Sequence, residues 1–272
     1  MSALRAAAIQ MTSTADVERN LRVAAALVAE AAARGARLVG LPENFAFIGP
    51  EADKFAIAET IDGEAPGRIL QAMGEAALRN RVWLLLGGMP ERTADPARVH
   101  NTSVLLDESG RVVARYRKIH LFDVDIAKGA VFTESATVTP GSELVVAETP
   151  WAPLGLSVCY DLRFPELYRE LARRGARVLT VPAAFTQVTG QHHWHVLLRA
   201  RAIENLCFVL APAQSGLHHA GRTTYGHALI VDPWGTVLAE AEGGEGMAVA
   251  DLDFAAQDQL RRQLPCLGQR RL

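Results

Sequence analysis

Short apolar runs alternate along this chain with stretches whose apolar positions return every three or four residues, the pattern of strands alternating with amphipathic helices. Leu4–Met11 is the first such run, and Thr12-Ser13-Thr14-Ala15-Asp16 behind it offers several helix N-caps. Leu21, Ala24, Ala25, Val28 and Ala32 then keep helical spacing to about Arg34, where Gly35 suits the helix end. Arg37–Leu41 predicts a strand stopped by Pro42, and Val82–Gly87 another. Between them, residues 51–80 read as one or two helices broken near Asp62-Gly63 and Pro66-Gly67. Thr102–Leu106 and Val112–Tyr116 flank Asp107-Glu108-Ser109-Gly110 as a hairpin would. Gly129–Gly141 reads as a loop carrying Glu134, and Leu144–Ala147 pairs with Leu154–Val158 across Pro150-Trp151-Ala152-Pro153. Helices are expected at Pro165–Arg174, Gly190–Asn205 and Phe254–Arg262. Strands are expected at Val178–Val181, Phe208–Ala211, Ala228–Val231, Thr236–Ala239 and Gly246–Asp251.

One segment echoes another. Residues 34–45 align with residues 174–185 at an offset of 140, with six identities in twelve positions. That period is too long for a solenoid unit and points to two pseudo-symmetric halves. Each half would be a sheet with helices on one face, the two packed sheet to sheet as a four-layer αββα sandwich. Glu43 in the first copy becomes Ala183 in the second, so only one half keeps the carboxylate.

At 272 residues and 49% hydrophobic, the chain is long enough for a sizeable core, and residues 1–272 are expected to form one α/β domain. A net charge of −2 with scattered basic residues speaks against nucleic-acid or anionic-membrane partners. Cys159, Cys207 and Cys266 are odd in number, far apart and lack metal-type spacing, which predicts free thiols and a cytoplasmic location. The start of the chain runs directly into a strand pattern without a signal-peptide profile, and no apolar run reaches membrane-spanning length.

The candidate chemistry collects where strands end. Cys159 closes an apolar run just ahead of a helix start, where free backbone N–H groups hold a developing oxyanion. Open α/β sheets place ligands at strand carboxyl ends. Glu43 follows Pro42 at such an end, and Lys118 follows the second arm of the hairpin. Taken singly, a cysteine there is as well explained by core filling, and a Glu or Lys by a solvated surface. His192, His193, His195, His218 and His219 have no companion carboxylates or cysteines at metal-binding spacing, so no metal site is expected from them.

Pro42-Glu43-Asn44-Phe45, Arg117-Lys118-Ile119-His120-Leu121-Phe122-Asp123, Phe132-Thr133-Glu134-Ser135 and residues 159–167 resemble the motifs of the nitrilase, or carbon–nitrogen hydrolase, superfamily. Trp194 with residues 198–204, Tyr225-Gly226-His227 and residues 231–237 resemble its branch containing omega-amidase and deaminated glutathione amidase. Leu260-Arg261-Arg262-Gln263-Leu264-Pro265 leans toward the latter. The resemblance implies an αββα sandwich without metal or organic cofactor and a Glu43–Lys118–Cys159 triad assisted by Glu134. It also implies an oxyanion site shared by Lys118 and the Tyr160 N–H, and a homodimer or higher homo-oligomer. The implied reaction cleaves a small linear carboxamide, foremost deaminated glutathione, to a carboxylate and ammonia through a Cys159 thioester. An omega-amidase, a hydrolase of carbamoyl amines or nitriles, and a non-catalytic scaffold are the alternatives. Arg163 and His195 are the candidate substrate cations, although Arg163 paired with Asp161 would equally brace the Cys159 turn. His195 stands where that branch usually has Glu.

Overall fold

The computed structural model describes residues 3–63, 65–126 and 130–271. In the first half, β1 (Leu4–Met11), β2 (Leu38–Gly40) and β3 (Trp83–Arg92) lie parallel, and β4 (Val99–Leu106) and β5 (Val112–Arg117) continue the sheet antiparallel. Helix α1 (Val17–Ala33) joins β1 to β2. The β2–β3 link carries the single turn α2 (Lys54–Ile57) and the longer α3 (Arg68–Asn80). Asp16 caps α1 by accepting from the Arg19 N–H at 3.0 Å. Helix α3 begins directly after the Pro66-Gly67 break.

A hairpin of β6 (Asp123–Ile126) and β7 (Ala130–Thr133) follows, and Glu134 opens a 3₁₀ turn behind it. This corrects the loop expected over 129–141, of which Gly129 lies outside the described residues. The cross-strand pairing of Val124 with Phe132 and of Asp123 with Thr133 turns that segment into a strand despite its lack of alternation.

The second half repeats the first. Strands β8 (Val146–Ala147), β9 (Leu154–Leu156), β10 (Val178–Thr180) and β11 (Phe208–Ala211) hold the parallel core and its antiparallel edge. Helix α4 (Pro165–Arg173) lies between β9 and β10, and α5 (Gln187–Asn205) between β10 and β11. Next, β12 (Ala213–Leu217) and β13 (Thr223–Tyr225) leave this sheet and extend the first one past β1, an extension that no apolar run in 213–225 announces. The chain returns through β14 (Leu229–Val231) and β15 (Val237–Glu240), pairs β16 (Gly246–Leu252) antiparallel to β1, and ends in α6 (Phe254–Gln263).

The echo marks real equivalence. β2 lies between β1 and β3 as β10 lies between β9 and β11, and each is preceded by a helix that ends on a glycine in the left-handed region. Gly35 has φ +86° and Gly175 φ +99°, a conformation that glycine adopts without Cβ strain. Alternation along β1 separates the layers. Ala7, Ile9 and Met11 pack with α1 and α3, whereas Ala6 and Ala8 join Leu38, Leu85 and Leu105 against the second sheet. On the far side Tyr168, Leu171, Trp194 and Leu198 of α4 and α5 cover the second sheet, which completes the αββα sandwich. No helix among the described residues is long and apolar enough to cross a membrane.

Candidate active site

The carboxyl ends of the central strands from both halves meet at one cavity of about 200 Å³. Cys159 reaches it on a tight turn. Its backbone has φ +49°, and its N–H donates to the Pro182 carbonyl at 2.9 Å, tying the turn to the loop after β10. The fully buried Asp161 carboxylate fastens this turn. It accepts from the Val158 N–H (2.8 Å), the Tyr116 hydroxyl (2.7 Å) and the His120 N–H (3.1 Å), and lies 2.7 Å from His120 Nδ1. His120 and Tyr116 flank Lys118, so Asp161 sets the distance between the cysteine loop and the lysine loop. The Arg163–Asp161 pair is absent, because Asp161 is already saturated. Arg163 instead lies over the Phe185 ring at 5.3 Å with Nη1 3.3 Å from His193 Nδ1.

Lys118 Nζ is 3.0 Å from Glu43 Oε1 and 2.8 Å from Glu134 Oε2, and its side chain is only 2% exposed. Asn101 Nδ2 donates to Glu43 Oε1 at 2.9 Å and to Glu134 Oε1 at 3.3 Å. Glu43 Oε2 accepts the Ala184 N–H at 3.0 Å, and Glu134 Oε2 accepts the Phe122 N–H at 2.7 Å. Gly88 makes room for this cluster, since a Cβ there would stand 2.6 Å from Asn101 Oδ1. The Tyr160 N–H donates to no acceptor among the described residues.

The electrostatics follow from burial and these contacts. Burial raises the Glu43 pKa, but the Lys118 ammonium and the hydrogen bonds from Cys159 and Lys118 outweigh it and hold the carboxyl at about 2. Burial likewise lowers Lys118, yet the charges of Glu134 and Glu43 carry it well above the ordinary lysine range. Burial and the neighbouring Glu43 charge push the Cys159 thiol well above the usual cysteine value. The resting site is therefore a neutral thiol beside a carboxylate, with a fixed ammonium alongside. Such a set can pass a proton from sulfur as sulfur bonds to carbon, and it offers a cation where negative charge would then appear.

Glu43, Lys118, Glu134, Cys159 and Tyr160 all line the cavity; Arg163 and His195 do not. His195 turns to Glu240, 3.1 Å away. Among the described residues, the other cations lining the cavity are Lys54, held 2.6 Å from Glu51, and Arg222, whose buried Nε has no partner. Nothing in the one-dimensional pattern marks Arg222. Nor is Asn101 singled out, since it stands in the polar run His100-Asn101-Thr102-Ser103 of β4, and only the fold shows which of these finds the two carboxylates.

The sequence matches the Carbon-nitrogen hydrolase family over residues 5–262. The chain belongs to the carbon–nitrogen hydrolase family. A protein from Synechocystis sp. (strain PCC 6803 / GT-S) named deaminated glutathione amidase is 49% identical over 268 residues, covering 97% of each chain. Saccharomyces cerevisiae Nit3, described as a member of branch 10 of the nitrilase superfamily, superposes with a TM-score of 0.90 at 32% identity, covering 100% of this chain and 97% of that one. A mutant amidase from Nesterenkonia sp. AN1 superposes at 0.80 with 29% identity, covering 96% of this chain and 95% of that one. Its active-site cysteine carries the acetamide moiety of fluoroacetamide. This hydrolase therefore acts on amide carbon–nitrogen bonds.

Acid should expose the Glu43 network. Its carboxyl pKa is lowered from 4.5 to about 2 in the folded hydrolase, so the stability it contributes is full above the unfolded value and is lost as pH falls through the folded one. The difference in unfolding midpoint between the wild type and Glu43→Gln should shrink between about pH 6 and about pH 2. Chemical denaturation across that range checks it, and a constant difference would contradict the linkage.

Proposed function

We propose that Cys159 is the nucleophile of a thiol amidohydrolase, with Glu43 as its base and acid, Lys118 and the Tyr160 N–H as the oxyanion site, and Glu134 as the group that positions Lys118. What carries this reading is the convergence of Glu43, Lys118 and Cys159, all buried, on one cavity. Glu43 is too weak a base to ionise the resting thiol outright, so proton transfer accompanies attack. Sγ bonds to the amide carbon while its proton passes to Glu43, and the carbonyl π pair moves to oxygen beside Lys118. A preorganised donor there contributes about 3–4 kcal/mol to the transition state. Collapse breaks the C–N bond as Glu43 gives its proton to the departing nitrogen, leaving a thioester. Water then attacks the thioester carbon and loses its proton to Glu43. Cleavage of the C–S bond returns that proton to sulfur and releases the acid, which ionises in solvent. Glu134, through Lys118 and the Phe122 N–H, keeps the ammonium in place.

Deaminated glutathione is the proposed substrate, supported by the Synechocystis relative's name and by the Arg222 guanidinium among the residues that line the cavity, a charge that suits a substrate carboxylate. This assigns carboxylate recognition to Arg222 rather than to Arg163 or His195. It also corrects the leaving group. Ammonia leaves from a primary carboxamide, but the amide nitrogen of deaminated glutathione carries its Cys-Gly extension and departs as an amine. The free thiols suit a cytoplasmic, reducing compartment. A homo-oligomer is supported by Val196 and Ile203, exposed seven residues apart on α5, with the exposed Trp234 beyond.

Cys159→Ala, Cys159→Ser and Glu43→Gln are expected to abolish turnover with folding retained, and Lys118→Arg to fail because a planar guanidinium does not fit a place built for a compact ammonium. Glu134→Gln should keep partial activity. Steady-state assays check this set, and near wild-type turnover in Glu43→Gln or Lys118→Arg would remove the triad.

Comparing kcat/KM for deaminated glutathione, 2-oxoglutaramate and an uncharged amide tests the substrate. The order should fall in that sequence. Arg222→Gln should cost the two carboxylate substrates roughly ten- to a hundredfold, the worth of a charged hydrogen bond, while sparing the uncharged amide. A preference for 2-oxoglutaramate would make the protein an omega-amidase, and an equal loss on all three amides would take carboxylate recognition away from Arg222.

A further inference from the structure

His195, His227 and Glu240 come from three separate elements and meet outside the cavity that holds Cys159. His195 lies on α5, His227 in the turn between β13 and β14, and Glu240 at the end of β15. His227 Nδ1 is 2.5 Å and His195 Nε2 3.1 Å from the same Glu240 oxygen, and the three donor atoms all lie within 4.8 Å of one another. None of them lines the catalytic cavity.

Their orientation is fixed before any ligand arrives. The His227 backbone holds φ +58°, its carbonyl accepts the Trp194 indole N–H at 2.8 Å, and its ring stacks on Tyr225 with centroids 4.2 Å apart. His195 stands edge-on to the rings of Tyr225 and His227. Without a metal, one carboxylate oxygen must take both imidazole N–H groups. A divalent cation in place of those shared protons would use both nitrogen lone pairs and the carboxylate at once. Metal–nitrogen and metal–oxygen bonds of about 2.0–2.2 Å set tetrahedral edges near 3.3 Å, so the two nitrogen–oxygen separations would open slightly and the two imidazole nitrogens, within 4.8 Å, would close on the ion.

We infer that His195, His227 and Glu240 form a divalent-metal site outside the catalytic cavity. Two imidazoles and one carboxylate suit Zn²⁺ and related late first-row ions rather than Mg²⁺ or Ca²⁺, which prefer oxygen ligands throughout. The site is invisible to local spacing, since its ligands are 32 and 13 residues apart in the chain. A bound ion would clip α5 to the β14–β15 edge. It would also brace the wall of the catalytic cavity, because Trp194 packs on Phe185, which lines it.

Calorimetric titration of the full chain with Zn²⁺ tests this. One equivalent should bind, with the same affinity in Cys159→Ala and in the double variant His192→Ala/His193→Ala. The affinity should fall at least about tenfold in His195→Ala and in Glu240→Gln. Zinc should raise the thermal midpoint of the wild type and leave that of these two variants unchanged, with circular dichroism confirming their fold. As a readout free of substitutions, Co²⁺ bound to the wild type should show the visible bands of tetrahedral coordination and no thiolate charge-transfer band. Unaltered affinity in Glu240→Gln, loss of binding on removing His192 and His193, a thiolate band, or no binding to the wild type would each overturn the site.

Discussion

A buried ammonium between two carboxylates is the constraint on which the functional end of this molecule rests. Lys118 has almost no contact with water, and a lone charge in that position would be prohibitively costly, so Glu43 and Glu134 must both be delivered to it. Removing one partner from a buried pair typically costs about 3–5 kcal/mol because the other charge is left uncompensated. Three stretches of chain are thereby held together: the loop after β2, the end of β5, and the turn after the β6–β7 hairpin. Asn101 bridges the two carboxylates, and Asp161 locks the cysteine turn onto the lysine loop.

The pseudo-symmetric architecture makes this assembly possible and then breaks its own symmetry. Equivalent loops follow β2 and β10, each with a proline as its second residue and each facing the other across the sandwich. In the first half the loop supplies the Glu43 carboxylate. In the second, alanines leave only backbone, and the Ala184 N–H becomes a donor to that same carboxylate. One copy carries charge and the other holds it in place. The cysteine turn is anchored by the second loop as well, through the Pro182 carbonyl, so nucleophile and base share a common support.

Much of this was legible from residues alone, and the reasons are physical. Strand and helix periodicity, the cap at Asp16, the paired glycines and the proline stops are local properties, and they place Glu43, Lys118 and Cys159 at strand ends. The β6–β7 hairpin escaped because its pairing lacks alternation, and β12 and β13 because they are recruited by the edge of a distant strand. Arg163 was the obvious cation by proximity to Cys159 in sequence, yet a side chain four residues on faces elsewhere. Arg222 reaches the cavity from the β12–β13 connection, and no local rule links it to Cys159. The cluster at Glu240 is the same lesson, since long-range contacts assemble ligands that local spacing scatters.

The central claim is that the acyl group passes through sulfur on Cys159, and trapping that intermediate tests it most directly. Acid quenching during turnover of a carboxamide, followed by peptide mass spectrometry, should find the acyl mass on the peptide containing Cys159 and on neither Cys207 nor Cys266. Slowing the second step with a poorly hydrolysed acyl group should increase its amount in step with the loss of steady-state rate. Turnover with no acyl mass on Cys159 under those conditions, or with the acyl group on another residue, would contradict the account.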